Sequence, residues 1–219
     1  RELGRLEEAE ILHRKAIELN PDFKEALNAL GDILLDVGKL KEVILLSKSK
    51  LESKSITPED KLRALLQITC ANLQKGDFLE TSLYLNKINE LIEQGVLYLV
   101  KEVKTKQHAW FLTQFISSIY NDLEKNSYTS CSEKIPHIGE SHCLSFAHQT
   151  LSMSSKVKKI QPVMITGGKA WHFSNNTNNN WKESLTLQIK NHTYSDEVLI
   201  SFGEIDCRKN EGILPYVIK

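Results

Sequence analysis

The feature that most constrains the fold of this chain is a segment that begins at Gly4 and recurs at Gly38. The first copy reads GRLEEAEILHRKAIELNP and the second GKLKEVILLSKSKLESKS. The matching pairs include Leu6 with Leu40, Ala9 with Val43 and Ile17 with Leu51. A period of about 34 residues predicts stacked supersecondary units that bury their apolar faces against one another. A third copy starts at Gly76, later than this period places it, which predicts an insertion of about four residues around SKSITPED.

Each repeat has the pattern of two amphipathic helices joined by a turn. Between Lys24 and Asp36, apolar residues recur at steps of three and four, which predicts one apolar helix face. Gly38 then supplies a turn, and Pro21 with Asp22 ends one helix and starts the next. We therefore predict antiparallel helix pairs over residues 5 to 93. The side chains expected to be buried between them are Ala9, Ala16, Leu27, Leu30, Leu34 and Leu65.

On these residues, the first part of the chain resembles the tetratricopeptide repeats. In that family small residues, here Ala9 and Ala16, let paired helices approach, and the motif glycine, here Gly31, lies where the neighbouring helix packs on the backbone. Lys50 stands at a position that is usually small. The resemblance implies an α-solenoid over residues 1 to 124, capped by residues 96 to 124, that binds a peptide or protein in its groove. A generic array of helical hairpins is the alternative.

The composition argues against two classes of partner. Lys+Arg and Asp+Glu both number 28, so the formal net charge is zero and no basic surface for nucleic acid is indicated. No apolar run approaches the roughly 18 residues of a membrane-spanning helix. Four cysteines without CxxC spacing suggest reduced thiols in a cytoplasmic protein, although one bridge stays open. Because Arg1 falls inside a repeat, we expect the chain to be a fragment.

The pattern changes after a polar linker at residues 125 to 134. Residues 135 to 219 show short apolar runs at Ile135–Ile138, Val163–Thr166 and Val198–Phe202, which predict strands. Helices are predicted near Cys143–Met153 and Trp181–Lys190. Strands that alternate with helices predict a parallel α/β sheet, so the fold class is an α-solenoid followed by α/β.

The stretch IPHIGESHCLSFAHQ, residues 135 to 149, places Ser141 just after the first predicted strand. Locally, Ser141 is either a nucleophile presented at a strand-to-helix turn or the N-cap of an ordinary helix. The later stretches VMITGGKAWHF and VLISFGEIDCR each end a predicted strand at glycine. We therefore predict that Gly139, Gly167 or Gly168, and Gly203 meet at one sheet edge.

These three blocks resemble, in order, those of the SGNH/GDSL hydrolases, an α/β family with a flavodoxin-like sheet. The resemblance implies that Ser141 is the nucleophile, with Glu140 in place of the usual Asp, and that Gly167 and Gly168 supply oxyanion amides. Asp206 falls in the third block, and Arg208 is the nearest alternative cation for a developing negative charge. Ile205 replaces the Asn that donates to the oxyanion, a change typically worth about 10²–10³ in rate.

The base of that family lies in an Asp-x-x-His block, and none of the seven histidines follows an Asp at that spacing. We therefore expect the 219-residue chain to be catalytically silent, with His172 or His192 as the fallback base. Two functions stay open. The first is a serine esterase or acyltransferase, with acylated carbohydrate as a substrate class, tethered to a protein-binding solenoid. The second is a non-catalytic interaction protein.

No cofactor is expected, and two local patterns allow a second interpretation. The spacings within Cys131, His137, His142, Cys143 and His148 match no common zinc pattern, so no metal is expected. Aromatic side chains around SNNTNNN either stack on a sugar ring or pack on their own domain, which we favour. They are Trp171, Phe173 and Trp181.

Overall fold

The computed structural model describes residues 5–101, 103–126, 131, 133–153, 156–191 and 196–203. The chain divides into two compact units. The helical unit comprises residues 13–35 and 39–129, and the α/β unit comprises residues 1–12, 36–38 and 130–219.

In the first part of the chain every described secondary-structure element is a helix. Its helices are α1 (Leu6–Leu19), α2 (Lys24–Asp36), α3 (Leu40–Glu52), α4 (Pro58–Lys75), α5 (Phe78–Glu93), α6 (Val96–Leu99) and α7 (Val103–Asn126). Helix α7 thus extends two residues into the segment predicted as a linker. None of the described helices is both long and apolar enough to cross a bilayer.

The predicted period reappears in the helix boundaries. The start of α3 follows the start of α1 by the same offset that separates Gly38 from Gly4, and α4 follows α2 by that offset too. The placement of the insertion around SKSITPED is wrong, because α4 already begins at Pro58 in the expected register. The extra residues lengthen α4 to 18 residues, against 13 in α2. They extend a regular helix, which satisfies their backbone hydrogen bonds more simply than a longer loop.

Local signals explain where the middle helices start. Thr57 caps α4, its side chain accepting a hydrogen bond from the Asp60 N–H at 3.1 Å, and Pro58 fills the first turn, where no N–H is needed. Asp77 caps α5 in the same way, accepting from the Glu80 N–H at 3.2 Å.

The predicted core of the helices is confirmed in part. Leu30, Leu34 and Leu65 are buried, with 3%, 1% and 2% of their surface exposed. Ala9, Ala16 and Leu27 are only half-buried, which corrects the prediction for them. Helix α4 packs against both α3 and α5.

Gly31 lies in α2 where a side chain of α4 crosses the backbone. A Cβ at Gly31 would lie 2.7 Å from both Oε1 and Nε2 of Gln67. The Gln67 amide is held by two contacts: Oε1 accepts from Ser47 Oγ at 3.0 Å, and Nε2 donates to Asp32 Oδ1 at 2.8 Å. The close approach expected at this glycine is therefore present.

Gly31→Ala should destabilise the helical unit by about 1–2 kcal/mol, measured by urea unfolding. Alanine gains about 1 kcal/mol of helix propensity but displaces the buried Gln67 amide and its two hydrogen bonds. In a Gln67→Ala background the obstacle is gone, so the same change should become neutral or stabilising. An equal loss in both backgrounds contradicts this explanation.

The C-terminal part of the α/β unit, from residue 130 on, contains four described strands and two described α-helices. The strands are β1 (Lys134–Gly139), β2 (Thr150–Met153), β3 (Lys156–Met164) and β4 (Leu199–Ser201); the helices are α8 (Ala170–Ser174) and α9 (Asn180–Asn191). The strand order is β2-β3-β1-β4. Strand β1 pairs in parallel with both β3 and β4, and β2 pairs antiparallel with β3. The sheet is therefore mixed, which corrects the prediction of an all-parallel one.

The predicted helix over Cys143–Met153 is wrong. Residues Ser141–Phe146 form a 3₁₀ turn, and His148 has a φ of 59°, which no helix accommodates. Thr150–Met153 then pairs with Lys156–Lys159 as a strand. Pairing with β3 satisfies the backbone groups of these residues, and this long-range gain outweighs their helical spacing.

One face of the sheet carries the apolar core of the α/β unit. Ile138, Val163 and Ile165 are buried there, and Trp181 and Leu185 of α9 pack against them together with Phe202. His137 and Gly139 alternate with Ile138 along β1, so the His137 side chain and the position of a Cβ on Gly139 belong to the opposite face. The 3₁₀ turn packs against β1 and β3.

Candidate functional site

The carboxyl ends of the three parallel strands lie side by side. Gly139, the last residue of β1, is in register with Met164 at the end of β3 and with Ser201 at the end of β4. The Gly167–Gly168 turn follows β3, and Gly203 follows β4 by two residues. A Cβ at Gly168 would lie 3.1 Å from Cε1 of Phe202, the residue before Gly203. The two turns are therefore in contact. The glycines predicted to converge therefore meet at this edge.

Ser141 lies at the same edge, two residues beyond β1. Ser141 is half-buried and is the first residue of the 3₁₀ turn. The N-cap residue, Glu140, has an extended backbone, and its side chain forms no capping hydrogen bond. A turn of six residues lacks the aligned peptide dipoles of an α-helix. The expected helix N-terminus is therefore absent at Ser141, and oxyanion stabilisation has to come from other groups.

The two glycine amides that the sequence suggested differ in their surroundings. The Gly168 N–H donates to Ile165 O at 3.2 Å, and Gly168 is buried. Gly167 is exposed, with only Trp181 Nε1 within 4.0 Å of the position of a Cβ. Gly167 is consequently the better candidate for an amide that contacts a ligand.

A hydrogen-bonded serine–histidine pair joins β1 and β4 near the same sheet edge, and the sequence analysis missed it. His137 Nε2 and Ser201 Oγ are 2.8 Å apart, and His137 is 5% exposed. Burial lowers the pKa of His137, so its ring is neutral at pH 7 and Nε2 can accept the hydroxyl proton of Ser201. The two residues are 64 positions apart, and no local spacing signals their contact.

The thiol of Cys143, two residues after Ser141, is a poor nucleophile. Burial raises the pKa of the Cys143 thiol to about 12, with a further contribution from the Glu140 carboxylate. That thiol is therefore un-ionised at neutral pH. Glu140 is 2% exposed, and its Oε1 lies 3.8 Å from His142 Nδ1. This contact directs the His142 ring toward Glu140.

His172, one of the two fallback bases, has a structural role. Its Nδ1 accepts a hydrogen bond from the Lys169 N–H at 3.0 Å, so in the neutral ring the proton is on Nε2. Its ring stacks on Trp181 with centroids 3.5 Å apart and planes at 5°. Because the lone pair of Nδ1 is already used, His172 cannot take a proton in this conformation.

The aromatic side chains around SNNTNNN mostly pack within the α/β unit. Trp181 Nε1 donates to Thr166 O at 3.2 Å, and Phe173 lies against Phe202 with centroids 4.4 Å apart. Trp171 is 43% exposed. Self-packing therefore describes Trp181 and Phe173.

Several predicted residues lie outside the described residues: Asp206, Arg208, Ile205, Cys207 and His192. Cys70, Cys131 and Cys143 are free thiols. Within the described ranges, no group of three or more His, Cys, Asp or Glu side chains is placed to hold a metal ion.

Comparison with known proteins adds no relative: no family model, no curated protein and no solved structure matches this chain.

Proposed function

We propose that the α/β unit is a serine hydrolase or acyltransferase of the SGNH kind, with Ser141 as the nucleophile and an ester as the substrate. The observation that carries this proposal is the order of the parallel strands. In the sheet the three parallel strands lie in the order β3-β1-β4. The first of them in the chain therefore lies between the second and the third. Flavodoxin-like sheets begin with the same order.

Ser141 follows the central strand of this arrangement. From β1 the chain moves first to β2 and β3 on one side and later to β4 on the other. At such a switch point the flanking loops leave in opposite directions, and open α/β sheets bind their ligands in the crevice between them. We expect an ester bound in this crevice to lie between the Ser141 hydroxyl and the Gly167 turn.

The chemistry assigned to the site is acyl transfer through a covalent intermediate. The Ser141 oxygen attacks the ester carbonyl, its proton passes to a base, and the alcohol leaves to give an acyl-serine. Gly167 N–H is the proposed donor to the oxyanion. The resemblance assigns the base to an Asp-x-x-His block, which this chain does not contain. Acylated carbohydrate is the substrate class that the resemblance suggests.

Labelling with a fluorophosphonate probe tests this assignment on a form of the protein that carries such a base. We expect labelling that Ser141→Ala abolishes and Ser145→Ala, the matched control in the same 3₁₀ turn, leaves unchanged. Without a base a serine hydroxyl is a weak nucleophile, so we expect the 219-residue chain alone to stay unlabelled. Full labelling of the Ser141→Ala protein refutes the proposal.

Ser201 is the second candidate nucleophile, because His137 already contacts its hydroxyl at 2.8 Å. The same labelling experiment separates the two serines. Loss of labelling in Ser201→Ala and in His137→Gln, with Ser141→Ala unaffected, transfers the nucleophile to Ser201. In that case the 219-residue chain holds both nucleophile and base and is labelled by itself.

For helices α1 to α5, we infer a solenoid of the tetratricopeptide kind. The support is the common offset between the starts of α1 and α3 and between those of α2 and α4, together with the close contact of Gln67 on Gly31. Solenoids of helix pairs present concave surfaces to partners. The proposed partner of the solenoid is a peptide or protein. By binding this partner, the solenoid would tether the α/β unit to it.

A further inference from the structure

A pocket of about 130 Å³ lies in the helical unit, bordered by α2, α3 and the segment that precedes α4. Its apolar wall includes Pro21, Leu27, Leu46 and Ile56. Lys50 of α3 also lines it. The pocket therefore combines an amine with a small apolar space.

The Lys50 ammonium is tied to a short chain of hydrogen bonds. Lys50 is 8% exposed, and its Nζ donates to Asn28 Oδ1 at 2.5 Å. Asn28 Nδ2 donates to Asp60 Oδ1 at 2.6 Å, and Thr57 Oγ1 donates to Asp60 Oδ2 at 2.6 Å. Asp60 thus has both oxygens engaged by other groups, and Lys50 does not form a direct ion pair with it. An ammonium has three N–H donors, and Asn28 accepts from one of them.

The surroundings favour the uncharged amine. Burial lowers the pKa of Lys50 to about 8, although Asp60 and Asp32 attract the charge; Arg63 adds to the lowering. Two further titratable residues, Lys24 and Asp22, line the pocket. A third, His108 of α7, interacts electrostatically with Asp32 and Arg63. At pH 7 roughly one tenth of the Lys50 amine is uncharged, against less than about one part in a thousand for an ordinary lysine.

We propose that Lys50 is a covalent modification site that accepts a short acyl group from an activated donor, a thioester or an acyl phosphate. The uncharged amine attacks the donor carbonyl, and a C–N bond forms as the C–S or C–O bond breaks. The thiolate or phosphate leaves, and the proton of the attacking nitrogen passes to water or to the leaving group. The product is an amide, and the reaction needs no oxidant or reductant.

The pocket suits the acylated product. The amide N–H keeps one donor for Asn28 Oδ1, while the buried positive charge and its desolvation cost disappear. The pocket volume corresponds to about four water molecules at about 30 Å³ each, which accommodates the three non-hydrogen atoms of an acetyl group. The acyl methyl would lie near Leu27, Leu46 and Ile56.

The test is acetylation of the whole chain by an acetyl thioester at pH 8, with peptide mass spectrometry resolving the lysines of α3. Lys48 is the internal control, because it is more exposed and its hydrogen bond to Glu80 raises its pKa. We expect Lys50 to react on the order of tenfold faster. The larger uncharged fraction of Lys50 raises its rate by about two orders of magnitude over that of Lys48. A less basic amine is also a weaker nucleophile, and with the dependence known for thiols this lowers the rate by about one order of magnitude.

Two matched variants sharpen the result. Asp60→Asn keeps the shape of the side chain but removes its charge, so acetylation of Lys50 at pH 7 should become faster. Glu80→Gln should accelerate only Lys48. In urea the two lysines should react alike, which shows that the folded pocket causes the difference. Equal rates in the folded chain, or a Lys50 rate that rises only above about pH 10 as for an ordinary lysine, overturn the proposal.

Discussion

Replacing Gly139 with alanine is expected to destabilise the α/β unit by about 3 kcal/mol, because the new methyl group has no space to enter. A Cβ at this position would lie 2.6 Å from the backbone O of Ser201, 2.6 Å from its Oγ and 3.1 Å from Cys143 Cβ. One of the two nearest atoms belongs to the backbone of the neighbouring strand, which is held in register with β1 and cannot rotate away. Relief therefore requires β1 and β4 to separate.

Hydrogen exchange of the β1 and β4 amides, together with urea unfolding, measures this effect, and the amides of α4 serve as the reference in the same sample. Gly168→Ala is the matched control, because its closest contact is the movable Phe202 ring at 3.1 Å, and a smaller loss is expected there. The double variant Gly139→Ala/Ser201→Ala should remain unstable, since the carbonyl oxygen is still present. Full recovery in the double variant shows that the side chain, and not the backbone, was the obstacle.

Lys50→Met should remove a rise in the stability of the helical unit between about pH 8 and pH 10.5. The folded pKa of Lys50, about 8, lies below the ordinary lysine value of 10.5, so over this window the unfolded chain binds more protons than the folded one. Stability consequently increases with pH across the window, and below it the buried charge costs the fold about 3 kcal/mol. Methionine matches the length of the aliphatic stem and carries no charge.

Urea unfolding at a series of pH values, with the wild-type and Lys50→Met curves subtracted, isolates this contribution from other groups. At pH 7 the variant should be more stable by about 1–2 kcal/mol, because Asn28 Oδ1 loses its donor and offsets part of the gain. Lys48→Met is the control with the opposite sign. The pKa of Lys48 is raised by Glu80, so its contribution is present at neutral pH and lost at high pH. Parallel curves for wild type and Lys50→Met contradict the assignment.

Local periodicity was enough to predict most of the helices. The apolar steps between Lys24 and Asp36 predicted α2, and Gly38 marked the turn before α3. These features act within a few residues of each other, so they are legible in the sequence. The same holds for β1 and β4, whose short apolar runs matched the strands closely.

Tertiary structure decided what depends on distant partners. Thr150–Met153 is a strand because β3 pairs with it, although its spacing predicted a helix. The extra residues before the third copy of the repeat lie in helix α4, although the sequence pattern predicted them in a loop.

The candidate site divides in the same way. The sequence alone determined that Ser141 and three glycine turns follow strands, since strand ends are local features, and parallel pairing brought them to one edge. It contained no sign that Ser201 contacts His137, or that burial makes Lys50 an unusual amine beside Asn28. Pairings between residues far apart in the chain and the loss of water around a charge are properties of the packed chain. Only the tertiary structure decides them.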